Sequence, residues 1–243
     1  FFLMLSTSLM AIAAIAHMPL KLYVLQQKLA PGMAGYTDEV LFGDVWLRPE
    51  LSPRDRSLVT ISVLIATGKI AQLEGHLGRA LGNGVKPVEA SGVLTHMAFY
   101  SGWPSAVSAL EVYDRVYAAR GVDMASLQAM GAQAPAAASE AARSEGTERQ
   151  FGVFAPKFTE LTNEVVFDDL WRRSDLSARD RSLVTIAALS AMGDDDLLEP
   201  YLWRGVESGL TRAEIAEAIT HLSFYAGWAK ATRAMSVAER VLK

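Results

Sequence analysis

The chain contains no cysteine. That removes disulfides, thiolate metal sites and thiol nucleophiles together. Histidine is scarce: the four are His17, His76, His96 and His221. None stands at a metal-ligand spacing such as His-x-Glu-x-His, so no metal is expected. There is no glycine-rich phosphate loop, and no cofactor is expected. No Lys/Arg cluster stands out against a net charge of −4, which argues against a nucleic-acid partner. No segment alternates convincingly as a strand, which leaves an all-α fold. The longest apolar stretch, residues 1–16, falls short of the ~20 residues that span a bilayer as a helix, so no stable membrane insertion is expected. Ala14-Ile15-Ala16 fits a small-residue cleavage site. Residues 1–16 therefore read as a secretory signal, with a mature periplasmic or secreted chain starting near His17. The competing reading is a buried N-terminal helix of a cytoplasmic protein.

What the chain does have is a repeat. Leu51-Ser52-Pro53-Arg54-Asp55-Arg56-Ser57-Leu58-Val59-Thr60-Ile61 returns as Leu176-Ser177-Ala178-Arg179-Asp180-Arg181-Ser182-Leu183-Val184-Thr185-Ile186. The offset is 176 − 51 = 125. Thr95-His96, Phe99-Tyr100 and Gly102-Trp103 return at the same offset as Thr220-His221, Phe224-Tyr225 and Gly227-Trp228. Glu74 pairs with Glu199, Arg79 with Arg204 and Gly84 with Gly209, without a gap. About 31 of the 68 positions from Phe42 to Ala109 are identical in the second copy, so one unit is written twice.

In chain order, Leu20–Leu29 reads as a short helix and Tyr36–Trp46 as the next, ended by Arg48-Pro49. Ser52 is a good N-cap, Pro53 suits the first helical position and Asp55 favours the positive end of the dipole. That helix runs to Gly68. Helices at 70–82, 87–100 and 103–119 follow, with Gly84 as a left-handed cap. The second copy replays the order at 157–171, 177–192, 195–207, 212–225 and 227–242, with a capping box at Thr211 and Glu214. Residues 121–150 are rich in Ala, Ser, Gly and Glu and read as a partly helical linker. The organisation expected is an N-terminal segment 1–29, a first unit 30–118, a linker 119–154 and a second unit 155–243. Phe99 and Phe224 are expected to pack inward against the second helix of each unit.

The opening Arg54–Thr60, Glu74-Gly75-His76, Ala80-Leu81 with Asn83-Gly84, and His96 with Tyr100-Ser101-Gly102 resemble the carboxymuconolactone decarboxylase family. The resemblance implies a small all-helical fold that carries several activities. Related alkylhydroperoxidases use Cys-x-x-Cys-x-x-x-His. By that spacing the cysteine positions fall on Lys69 and Gln72 ahead of His76, so a thiol peroxidase cannot run here.

Gln72, His76 and Arg79 share one helix face. From the residues alone this is either a seat for an anionic substrate or a solvated face. The resemblance implies that His76 moves the proton. The second copy has Tyr201 in place of His76, and a phenol titrating near 10 replaces a near-neutral acid poorly. His96 with Tyr100 and His221 with Tyr225 sit four apart, as pocket wall or as packing pairs in which histidine bonds a backbone carbonyl. Arg54-Asp55-Arg56 reads as an anion site at a helix start or as an ion-pair device.

The reading that follows is a cofactor-free decarboxylase for a small anionic unsaturated lactone or related carboxylate. His76 returns the proton and Arg79 or Arg56 stabilises charge. Glu74, Ser57, His96, Tyr100 and Trp103 position substrate, and Glu199, Tyr201, Arg204, His221 and Tyr225 are the second-copy equivalents. The alternatives are a non-catalytic ligand-binding or scaffold protein and a lactone hydrolase. The family's single-unit members form rings, which implies a homotrimer of two-unit chains.

Overall fold

The computed structural model describes residues 20–128 and 131–243, and every regular element among them is helical. The expected signal at residues 1–16 lies outside the described residues. Helices α1 (Leu20–Leu29) and α2 (Pro31–Gly35) lead into a wide π-helical turn, Tyr36–Leu41. Then come α3 (Pro53–Ala66), α4 (Ile70–Gly82), α5 (Pro87–Tyr100) and α6 (Trp103–Arg120). The linker contributes α7 (Glu140–Phe151). The second unit repeats the plan as α8 (Pro156–Glu160), a π-helical turn at Leu161–Phe167, α9 (Ala178–Met192), α10 (Asp195–Glu207), α11 (Arg212–Ala226) and α12 (Trp228–Leu242). Where one helix was expected over Tyr36–Trp46, the π-helical turn is followed by a separate 3-10 turn at Val45–Leu47.

Helices α3 and α9 form the centre. Asp55 through Ile65 is buried without a break, polar residues included. A helix buried all round must satisfy its own hydroxyls. Ser57 donates to the Pro53 carbonyl at 2.9 Å and Thr60 to that of Arg56 at 2.8 Å. Ser52 caps the helix, accepting from the Asp55 amide at 3.1 Å.

The two units meet through reciprocal contacts, the mark of a twofold relation. Arg54 donates to Asp180 at 2.7 Å, and Arg179 to Asp55 at 2.8 Å. The Arg-Asp-Arg element is thus an ion-pair seam between the units. The fourth major helix of each unit also reaches the other unit: α11 packs on α3 and α5 on α9. The expected burial of Phe99 is not found. It is 37% exposed and meets Trp103 edge-on at 5.1 Å. On α5 it is His96 and Met97, both fully buried, that face inward. Among the described residues, no helix is long and apolar enough to cross a membrane.

Candidate active site

Because each fourth helix packs against both central helices, α3 and α9, each candidate site is composite. The first combines Phe42, Trp46, Thr60, His76 and Arg79 of the first unit with His221 and Tyr225 of the second. His76 stacks beside Trp46 at 6.3 Å and meets the Tyr225 ring edge-on at 5.2 Å. The Trp46 indole N–H donates to the Tyr225 hydroxyl at 2.9 Å. The Arg79 guanidinium lies over the Phe42 and Trp46 rings, 5.4 and 5.1 Å from their centres. Trp46 also takes the edge of His221 at 4.9 Å.

The tautomer of His221 follows from its partner. Thr60 spends its single proton on the Arg56 carbonyl, so the 2.9 Å contact runs from His221 Nε2–H to Thr60 Oγ1. Burial, with Arg56 nearby, holds His221 well below its usual titration range. Burial alone pushes His76 down to about 4. Its Nδ1 is buried and meets no hydrogen-bond partner among the described residues. Tyr225 is pushed up to about 12, mainly by burial, and stays a phenol.

A cavity of about 740 Å³ opens on this cluster. Gln72, Gly75, His76 and Tyr225 form one end, and α1, α2 and the π-helical turn supply a mostly apolar wall. Glu74 stands on the rim, where Arg115 donates to it at 3.2 Å.

The second site repeats these parts. Trp171 donates to the Tyr100 hydroxyl at 2.7 Å, and His96 Nε2 lies 2.7 Å from Thr185 Oγ1. Tyr201 replaces the histidine and accepts from Tyr100 at 2.9 Å. Helix α7 covers this site. Glu140 accepts from Arg204 at 2.6 Å and from Arg143 at 2.7 Å, and both guanidinium groups lie over Phe167. Glu199 pairs with Arg240 at 3.1 Å, as Glu74 does with Arg115.

Several expected groupings are therefore revised. His96 and Tyr100 do not join His76; they lie on the face of α5 that meets the second unit, beside Tyr201. Both histidines bond threonine hydroxyls where a backbone carbonyl was expected. Trp103 is 59% exposed and lies off the cavity, against Phe99. Ser57 is spent on Pro53 and Asn83. Arg56 is fully buried and donates to Glu217 and the Arg48 carbonyl, both at 2.8 Å, out of reach of a substrate. Its counterpart Arg181 uses Asp175 instead. Position 92, which matches Glu217, is glycine, and a Cβ there would lie 3.3 Å from the Asp175 carboxyl carbon. The two sites thus neutralise equivalent arginines with carboxylates from different places. Phe42 and Trp46 were not among the expected site residues, although both recur at the repeat offset as Phe167 and Trp171. Glu140 and Glu217 carried no such signal. Among the described residues no three His, Asp or Glu side chains gather as a metal site.

Comparison with known proteins agrees with the repeat. The profile of the carboxymuconolactone decarboxylase family matches residues 31–115 and again 156–240. The chain is 38% identical over 90 residues to 4-carboxymuconolactone decarboxylase of Acinetobacter baylyi, covering 37% of this chain and 67% of that protein. It is 36% identical over 74 residues to nitrosuccinic acid decarboxylase of Metarhizium robertsii, covering 30% of this chain and 52%, about half, of the relative. With two family units in one cysteine-free polypeptide, the chain belongs to the carboxymuconolactone decarboxylase family as a tandem member.

Proposed function

We propose that the chain is a decarboxylase for an anionic unsaturated lactone or related carboxylate, and that the composite site holding His76 is its active half. The observation that supports this most is a cavity ending on a histidine whose Nδ1 meets no hydrogen-bond partner among the described residues, faced by a protonated phenol from the other unit. Decarboxylation breaks the bond to the departing CO₂ and leaves its electron pair in the conjugated carbonyl. The charge on oxygen then needs donors and fixed positive charge. The Tyr225 hydroxyl accepts from Trp46, lies beside Thr60 and is the phenol that would turn its proton to the developing charge. Arg79, held against Phe42 and Trp46, supplies the cation.

The proton returned to carbon comes from His76. In the empty site this imidazole is neutral at pH 7, which would make it a poor acid. The substrate's own charge changes that. A carboxylate about 4 Å away is worth about 4 kcal/mol at an effective dielectric constant near 20. At about 1.4 kcal/mol per pH unit, that restores the imidazole to the neutral range. Binding an anion therefore loads the acid that the reaction uses, as general acid catalysis requires.

Purified protein and its His76→Ala variant, given unsaturated lactones and beta-keto acids, would test this by CO₂ release. Release that is lost in the variant supports the reading; equal release from both sinks the role of His76. The mostly apolar cavity wall favours one second reading, a ligand-binding protein without turnover, for which no CO₂ would appear from any of these compounds.

A further inference from the structure

We infer that the natural ligand of the open site is amphiphilic: a carboxylate head at His76 carries an extended apolar body along α1 and α2. Naming the head rests on the decarboxylase reading; the apolar body rests on separate observations. Pockets for drug-sized ligands run about 300–1,000 Å³. At about 740 Å³ this one has room well beyond a compact lactone. Its lining is mostly apolar: on α1, α2 and the π-helical turn, Leu22, Leu25, Leu29, Met33 and Leu41 outnumber Gln26 and Thr37, while α4 and α11 contribute Gln72, Glu74, His76 and Tyr225.

Helix α1 is attached in an unusual way. A helix on a soluble protein normally docks by its apolar stripe. Here the polar side chains make the attachment: Gln26 donates to Thr37 at 2.7 Å and Tyr23 to Asp38 at 3.2 Å. None of its residues is buried, and Leu25 and Leu29 remain 38% and 73% exposed. Leu22, Leu25 and Leu29 line the cavity, with Gln26 between them. The covering helix of the second site does the opposite. Helix α7 puts Glu140 and Arg143 inward, and these close on Arg204 and Asn163. One cover is polar and plugs its site; the other is apolar and lines an open one. An apolar body on the ligand is the chemistry that fits the second arrangement.

Straight-chain monocarboxylates test this without turnover. Binding of butanoate, hexanoate, octanoate and decanoate to the full chain would be followed by titration calorimetry below their micellar concentrations. Burial of each methylene is worth about fourfold, so each two-carbon step should tighten Kd by up to roughly 15-fold. Leu25→Gln and Leu29→Gln, both at exposed positions, should flatten the series and leave butanoate unchanged, while Val153→Gln, fully exposed between α7 and α8, should do nothing. A series that gains less than about twofold per step overturns the inference, as does one that Leu25→Gln and Leu29→Gln leave untouched. A flat series with CO₂ release from a compact lactone would sink the apolar subsite and keep the decarboxylase reading. A steep series without CO₂ release from any substrate would do the reverse.

Discussion

His76 should make the protein sensitive to acid. Burial holds its folded-state pKa at about 4, against about 6.5 for an unperturbed histidine in the unfolded chain. The unfolded chain therefore binds the proton first as pH falls, and stability is lost on the acid side. The contribution is complete above about pH 6.5, declines through the interval and levels off below pH 4. The full difference is 2.5 pH units, or about 3 kcal/mol, of which about 2 kcal/mol is gone by pH 5. His96 and His221 are also held low by burial and lose stability over the same range, so the wild-type curve alone cannot isolate His76. The comparison with His76→Gln can. Urea unfolding at closely spaced pH values from 4.5 to 7.5 should show a gap between the two proteins that changes by about 2 kcal/mol, with the variant the less acid-sensitive. Parallel curves would mean that the imidazole is solvated in the folded state. The account of an acid loaded by substrate would then fall, because it needs a histidine that is neutral at pH 7 in the empty site.

Other expectations follow from the same geometry. Glu217→Gln removes the counter-charge of fully buried Arg56 and should cost about 3–5 kcal/mol in urea unfolding; Glu74→Gln, at an exposed pair, should cost under about 1 kcal/mol, and equal costs would contradict the burial argument. In steady-state assays His76→Ala should lower kcat by about 10²–10⁴-fold, whereas Tyr201→Phe, in the covered site, should change it less than about twofold; equal losses would show that both halves turn over. A homotrimer restoring a ring of six units is expected in light scattering, with Trp103, Val107 and Leu110 as exposed apolar side chains available to it; monomer alone at micromolar concentration would refute it.

The sequence by itself determined the helices, because their ends are chemically local. Ser52 before Pro53, the Thr211–Glu214 box and Gly84, observed at φ +94°, act on backbone groups within a few residues. The repeat is likewise legible, since an offset needs no geometry. The loss of histidine at Tyr201 and the absence of cysteine were plain from residue identity. Only the tertiary structure decided which residues share a site. Helical periodicity sorts side chains within one helix and says nothing about the helix that faces them. His96 and Tyr100 therefore looked like neighbours of His76, and the packing of α11 across the unit boundary onto α3 gave that place to His221 and Tyr225. The same limit applies to charge. Arg56 looked available to an anion because its buried partner, Glu217, lies 161 residues away. Nor could composition distinguish α1 from α7 as covers, one lining an open cavity and the other filling its site with Glu140. That difference depends on which face each helix turns inward, and distant contacts set it.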